Sequence, residues 1–528
     1  MIMHRISAYV RFVSRLRRFL NRPLSYSEAV SILEQRLETR DQSFIDLVEK
    51  SVFNYPSSPW LWLFTQAGCS FGDLVSEIKN HGLEKTLGML KDSGVYLSFE
   101  EYKGKTPVER NSSLLAISDS DLDNAYLGAG YEVTTGGSTH QPSRTHLDLD
   151  FIEARVVYDH IFFNMLDMYS IPLAIWYPKL PASTGVNNIL RSAKIGKRTD
   201  RWFQLLSDRN VKPGIESRVA NQAIILMSLL TDSPLPHPEP VPIDDAGIIL
   251  DWILENLEKH GRCALNTYVS QAVRISRLAT SRGIDLSGTL FIVGSETMTQ
   301  AKNREITASG AVPYARYMAT EIGTIGISCP KSPVTGDYHL ASDTVAVIQE
   351  ADSASISPYY FTSLMEYAPR VLINVQLGDA GTICTTGCSC AAGALGLDTH
   401  LRDVRGLNHL SCEGMRLDTH DLILLAEEIL PARFGGGCMD YQWVEEEKDT
   451  SLTSLTLRIA PGIEIPDDNA VIEFVLETIG NRNRAHRLMA GLFRESGTIR
   501  ITRQNPVVTQ RGKFLSIIRR QQIQRSNT

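Results

Sequence analysis

The sequence predicts an α/β protein: a large α/β body, preceded by a helical region and followed by a small α+β unit. Three observations predict it. The chain has 528 residues, well past the size at which one hydrophobic core keeps growing. Residues 25–110 carry amphipathic segments at helical spacing, such as "SEAVSILEQRLETRDQSFIDLVEKSVF" and "GDLVSEIKNHGLEKTLGMLKDSG". From about 131, short apolar runs ("LAIWY", "GTLFIVG", "VPYARYMA") alternate with helical stretches such as "RVANQAIILMSLL", the pattern of an α/β domain.

Taken in order, the first element is the stretch "MIMHRISAYVRFVSRLRRFLNRPLS". Ile2, Ile6, Tyr9, Val13, Leu16 and Leu20 recur at helical spacing, and Arg5, Arg11, Arg15, Arg17, Arg18 and Arg22 come without one acidic residue. This fits the first helix of a folded domain, with arginines lying over its apolar face. It also fits a weak membrane-surface or acidic-partner contact, or a targeting segment. The run "TDSPLPHPEPVPIDD" holds five prolines in nine residues, which excludes helix and makes poor strand, so an extended connector is expected. It is no domain boundary, because "AGIILDWILENLEKHG" resumes the helical pattern at once. The break falls near 403–408. The expected organisation is 1–110 helical, 111–404 α/β and 405–528 α+β.

Composition excludes several classes. At 43% hydrophobic and 21% charged residues with a net charge of -7, the chain reads as soluble, with a cytoplasmic location expected and no bulk nucleic-acid binding. No apolar run reaches membrane-span length. Eight cysteines are too few for a disulfide scaffold. Cys384, Cys388 and Cys390 nevertheless fall within seven residues, which in a reducing compartment points to metal or thiol chemistry.

The loop "TTGGSTHQP" at 134–142 has glycines that let backbone approach a phosphate, and hydroxyls and N–H groups that can donate to its oxygens. Alone it reads best as a turn, since it matches neither the P-loop nor a dinucleotide fingerprint. Five companions follow it: "GSETMT" (294–299), "RYMATEIG" (316–323), "QLGDAGTI" (376–383), "RGLNHLSCEGMRL" (405–417) and "NPVVTQRGKF" (505–514). In order and spacing, the six resemble the motifs of the adenylate-forming superfamily of acyl-CoA ligases, in particular its phenylacetate–CoA ligase-like branch.

The resemblance implies an adenylation domain with a small mobile C-terminal lid. The implied chemistry is attack of a carboxylate on the α-phosphate of ATP, release of pyrophosphate, and transfer of the acyl group to a nucleophile such as the CoA thiol. By the same resemblance, Thr135, Gly136, Gly137, Ser138 and Thr139 embrace the β- and γ-phosphates, and Gly294, Ser295 and Glu296 form the turn beside the nucleotide. Tyr317 lies against adenine, Thr320 contacts the α-phosphate, Glu321 holds Mg²⁺, Asp379 accepts from the ribose hydroxyls, and Arg405 contacts ribose or phosphate. Lys513 bridges carboxylate and α-phosphate in the adenylation step, and Asn408 matches the hinge. Two departures stand out: His140 replaces a glycine, and Ser143 and Arg144 follow the proline where a lysine is usual.

Cys329 and His339, ten apart after the nucleotide motif, and the later "CTTGCSC" supply a tetrahedral zinc set. Some relatives in the resembled branch carry such a site, and Cys329, His339, Cys388 and Cys390 match it best, with Cys384 as the competing ligand. Cys69, Cys263, Cys412 and Cys438 read as small buried apolar residues. Segments 158–163, 175–177 and 323–327 are expected to line the acyl pocket. Their aromatic content leans toward an aryl or other apolar acid, although core packing explains it equally well. Transfer to a carrier-protein thiol, transfer to an amine or other nitrogen nucleophile, and a non-catalytic nucleotide-binding protein stay open. Oligomeric state is unreadable.

Overall fold

The computed structural model describes the chain except residues 1–11, 13, 128–130, 135–143, 148, 181, 207–214, 333–335, 351–356, 408, 413–414, 448–452, 521–522 and 524–528, and gives only the backbone at 119, 131–134, 144–147, 215–217, 409–412, 415–416, 447, 453 and 485. Early helices begin where the sequence places capping boxes. Tyr26–Glu38, Phe71–His81 and Phe99–Tyr102 start behind Ser25, Ser70 and Ser98. Each serine hydroxyl accepts a first-turn N–H, and the acid three residues on accepts from the serine backbone.

The described part of the first helix, 12 and 14–20, is docked. Phe12, Leu16, Phe19 and Leu20 are buried in the core of the body, and Lys194 Nζ donates to Arg22 O at 2.5 Å, just past the helix end. The described apolar face therefore packs as the first helix of a folded domain does, while Ile2, Ile6, Tyr9 and Val13 lie outside the described residues. Arg17, Arg18 and Arg22 stay exposed. Among the described residues no helix is long and apolar enough to cross a membrane.

A twelve-stranded sheet runs through the body. One half, Val312–Ala319, Thr289–Gly294, Cys263–Tyr268, Leu173–Tyr177, Arg201–Leu206 and Pro238–Pro242, pairs parallel. Its central strands are buried throughout, which is why they read as unbroken apolar runs rather than alternating ones. The other half, Gly323–Ser328, Tyr338–Leu340, Thr399–Gly406, Val375–Thr385, Ser357–Ser363 and Val345–Ile348, is antiparallel. Helix Leu149–Met165 is buried along most of its length. It packs between helices Tyr26–Glu38 and Thr184–Lys194, and its buried Asp159 is paired with Arg191 and Arg316.

The proline run corrects the expected connector, because Pro238–Pro242 is the outermost strand of the sheet. Prolines stand at 238, 240 and 242. A parallel edge strand turns only alternate N–H groups toward its neighbour, and those here belong to Glu239 and Val241.

Strand Thr399–Gly406 runs through position 405, pairing Arg405 with Ala380 and Gly406 with Asp379. Beyond it lies a four-stranded sheet ordered Ile499–Arg503, Thr453–Ile459, Tyr441–Glu447, Ile517–Arg519. Helices Asp468–Gly480 and Arg484–Ser496 belong to the same unit. Its core is separate and gathers Trp443, Leu455, Leu457, Val475 and Phe493.

Candidate functional site

In sheets of this kind, ligands gather at the carboxyl ends of the parallel strands. Three of the sequence motifs end there. Strand Thr289–Gly294 closes on Gly294, where an added Cβ would meet Arg316 O at 3.2 Å. The next residue, Ser295, turns the chain with φ 65, a left-handed conformation uncommon for a residue with a side chain. Its carbonyl accepts from Lys513 Nζ at 3.1 Å across 218 residues of sequence.

Next to that turn, Tyr317 near the end of Val312–Ala319 donates its hydroxyl to Asp379 Oδ2 at 2.6 Å. Burial pushes the Asp379 carboxyl up to about 6, opposed by the Tyr317 hydrogen bond and assisted by the negative charge of Glu321. Tyr317 itself is held well above the usual phenol range by burial and by Asp379. Thr320, half-buried, directly follows strand Val312–Ala319 and precedes Glu321 in the chain.

Glu321 is buried, and Tyr102 OH donates to its Oε1 at 3.1 Å. The same hydroxyl accepts from Arg370 Nη1 at 2.8 Å. Tyr102 belongs to helix Phe99–Tyr102 of the helical region, outside the six motifs, yet it supports a central carboxylate.

The loop around Lys513 is pressed onto the body. Gly512 has φ 79, and an added Cβ would come within 2.7 Å of Leu205 Cδ2. Gln271 Nε2 donates to Gly512 O at 2.8 Å. Phe514 N donates to Glu296 Oε1 at 3.1 Å. Glu296 also accepts from Ser270 N at 2.6 Å and Ser270 Oγ at 2.9 Å, so its carboxylate joins the C-terminal loop to the start of helix Val269–Ser281. Lys513 Nζ lies 5.3 Å from the centre of the Tyr268 ring. Burial lowers its pKa to about 8, with Arg511 adding to the shift and Glu296 opposing it.

Thus Gly294, Ser295, Glu296 and Lys513 form one group, and Tyr317 and Asp379, with Glu321 in the turn that follows Val312–Ala319, form another. Arg405, half-buried, is paired beside Asp379. Thr135, Gly136, Gly137, Ser138, Thr139, His140, Ser143 and Asn408 lie outside the described residues, and Arg144 is known only as backbone of strand Arg144–Leu147. The segments expected to line an acyl pocket supply core instead. Tyr158, Phe162, Phe163, Ile175 and Trp176 are buried in hydrophobic clusters, and Tyr158 OH donates to the buried Asp343. Packing accounts for their aromatic character.

Cys329, His339, Cys388 and Cys390 converge, with their ligand atoms all within 4.8 Å of one another. Cys329 Sγ is 3.4 Å from Cys388 Sγ, and Cys390 Sγ is 3.0 Å from His339 Nε2. Ligands on a tetrahedral zinc with Zn–S bonds near 2.3 Å stand about 3.7 Å apart. His339 Nδ1 faces Leu397 O at 2.7 Å; donation there leaves the Nε2 lone pair toward the sulfurs. Cys384 is outside this group among the described residues. Cys263 and Cys438 are buried, whereas Cys69 is half-buried.

No known family model matches the sequence, and no curated protein matches it. Among solved structures, the chain is similar to an open conformation of 2-hydroxyisobutyryl-CoA ligase in complex with 2-HIB-AMP and CoA, at TM-score 0.45 and 11% identity over 94% of this chain and 93% of that one. It is also similar to the McyG A-PCP structure complexed with phenylalanyl-adenylate, at 0.40 and 12% over 80% and 69%. A third likeness is to an amide bond synthetase from Marinactinospora thermotolerans, at 0.43 and 12% over 75% and 68%. At these TM-scores the likenesses support no functional argument.

Proposed function

We propose that this protein is an ATP-dependent, AMP-forming ligase of the adenylate-forming superfamily, in its phenylacetate–CoA ligase-like branch. It would activate a carboxylic acid as its acyl-adenylate and pass the acyl group to a nucleophile, the CoA thiol first among candidates. The observation that carries the reading is the seating of Lys513, a buried cation, against Ser295 O beside the Tyr317–Asp379 pair and Glu321. Four motifs far apart in sequence supply these residues, and each has the chemistry that its place requires.

Asp379 would take the ribose hydroxyls; one oxygen accepts from Tyr317, and among the described residues the other has no hydrogen bond. Lys513 would bridge the attacking carboxylate and the α-phosphate, where catalysis is mostly positioning and charge neutralisation. Thr320 and Arg405 would contact phosphate or ribose, with Thr135, Gly136, Gly137, Ser138 and Thr139 around the β- and γ-phosphates. Glu321, a hard oxygen donor, would hold Mg²⁺, whose contribution when bound is to neutralise phosphate charge. Cys329, His339, Cys388 and Cys390 would hold a structural zinc that joins two loops beside the cleft. Residues 405–528 would act as the lid, turning about Asn408.

The test is pyrophosphate release from ATP against a panel of aryl, fatty and amino acids, with Glu321→Ala as control. Acid-dependent release that collapses in the variant is expected. ATP binding without release across the panel would leave a binding protein instead. Adding CoA, a phosphopantetheinylated carrier or an amine then identifies the acceptor.

The same assay has a pH signature. Asp379 must be ionised, and its carboxylate is lost as pH falls through about 6. Lys513 must be protonated, and its charge is lost as pH rises through about 8. A bell-shaped kcat/KM profile bounded by these two values is expected, and a flat profile from pH 5 to 9 would contradict both roles. A further expectation concerns Tyr102→Phe, which removes the hydroxyl on Glu321. The Mg²⁺ concentration for half-maximal release should rise about tenfold, as for other lost partners of a metal ligand. An unchanged Mg²⁺ titration would relieve Tyr102 of this role.

A further inference from the structure

Glu427 sits in the helical turn Leu425–Ile429 of the C-terminal unit and is 3% exposed. Its carboxylate accepts from three sources. Lys302 Nζ, in the first turn of helix Gln300–Thr307, reaches Oε1 at 2.9 Å. Thr299 Oγ1, the cap of that same helix, donates to Oε2. The third donor, to Oε1, is Ser516 Oγ, three residues beyond Lys513. Two donors thus belong to the body and the third to the loop that carries the lysine.

We infer that Glu427 is the positioning residue that seats Lys513 in the cleft, acting through Ser516 on one side and the buried Lys302 and Thr299 on the other. The inference rests on the adenylating reading for its kinetic consequence, but not for its geometry. Lys513 is gripped on both flanks: Gly512 O by Gln271, Phe514 N by Glu296, and Ser516 by Glu427. Of these three, only the Glu427 link contains a buried cation–carboxylate pair. Such a pair gains little net energy over its hydrated ions, yet strands an uncompensated charge when one partner alone is removed. It therefore specifies one docked arrangement strongly while leaving separation of the two units cheap, because both ions recover water together. An apolar contact of equal size would hold the lid without fixing its register.

The test compares Glu427→Gln, Lys302→Met and Ser516→Ala with the unaltered chain, by hydrogen exchange and by kinetics. In Glu427→Gln and Ser516→Ala, exchange of the amides of Thr509, Lys513 and Phe514 should rise about tenfold, the effect of losing a hydrogen bond to a charged group. Exchange in strands Cys263–Tyr268 and Thr289–Gly294 should not change. The kcat for pyrophosphate release should fall by a similar factor with KM for ATP unmoved, and Glu427→Asp should recover part of it. Ser516→Ala keeps the Lys302–Glu427 pair and so serves if the charge variants fold poorly. Unchanged exchange in both Glu427→Gln and Ser516→Ala overturns the inference. Should no acid support pyrophosphate release, the exchange arm still decides the seating role, while the adenylating reading fails on its own.

Discussion

Lys513→Ala should lose acid-dependent pyrophosphate release by a factor of about 10² to 10³, the range for deleting one preorganised group that stabilises transition-state charge. The lysine stands in a desolvated place, as its lowered pKa records, and a cation there acts on developing charge without screening by water. The fold should survive. Among the described residues Lys513 Nζ gives one hydrogen bond, to Ser295 O, while the loop keeps Gln271 on Gly512 and Glu296 on Phe514. ATP affinity, read as KM or by direct binding, should change little, because the lysine acts on the reacting centre. Retention of more than a third of the rate would remove Lys513 from the chemistry and with it the main support for the adenylating reading.

The second large effect concerns the cysteine–histidine cluster. Metal analysis of the purified protein should find one zinc per chain, and Cys390→Ser should lose it. The cost should be roughly 3–5 kcal/mol, as when one member of a buried charged set is removed, visible as a lower first thermal transition. Cys384→Ser should keep both metal and stability, since that thiol is outside the cluster. Metal-free protein with unaltered melting in Cys390→Ser would reduce the four residues to packed thiols beside a buried histidine.

Local features were the legible ones. The amphipathic segments of residues 25–110 are helices, Tyr26–Glu38, Phe71–His81 and Leu83–Asp92 among them, because helical spacing involves only neighbours in sequence. The runs at 173–177 and 289–294 are strands, mostly apolar because both faces of these strands are buried. The proline run was misread because an edge strand in a parallel pair needs only alternate donors, a condition that depends on what lies beside it. The resemblance already preferred Cys329, His339, Cys388 and Cys390 over Cys384, and the fold brings those four together. Tyr102 and Glu427 were invisible for the same reason: each acts across more than one hundred residues of chain, and neither lies in a motif. The aromatic segments did not distinguish core from pocket, since both draw on the same residue types.

The outermost strand Pro238–Pro242 has a consequence for the life of the protein in a crowded solution. A sheet twelve strands wide ends in an unpaired row of backbone groups, which normally invites a strand from another molecule. Here the outward positions are 238, 240 and 242, all proline, so that rim has carbonyls but no N–H groups to offer. An incoming strand would find half of its hydrogen-bond ladder missing at every step. At the opposite rim, strand Val345–Ile348 is backed by helix Leu83–Asp92. The proline repeat that looked like a tether is thus a terminus for the sheet, one that keeps a long β-structure from propagating between molecules.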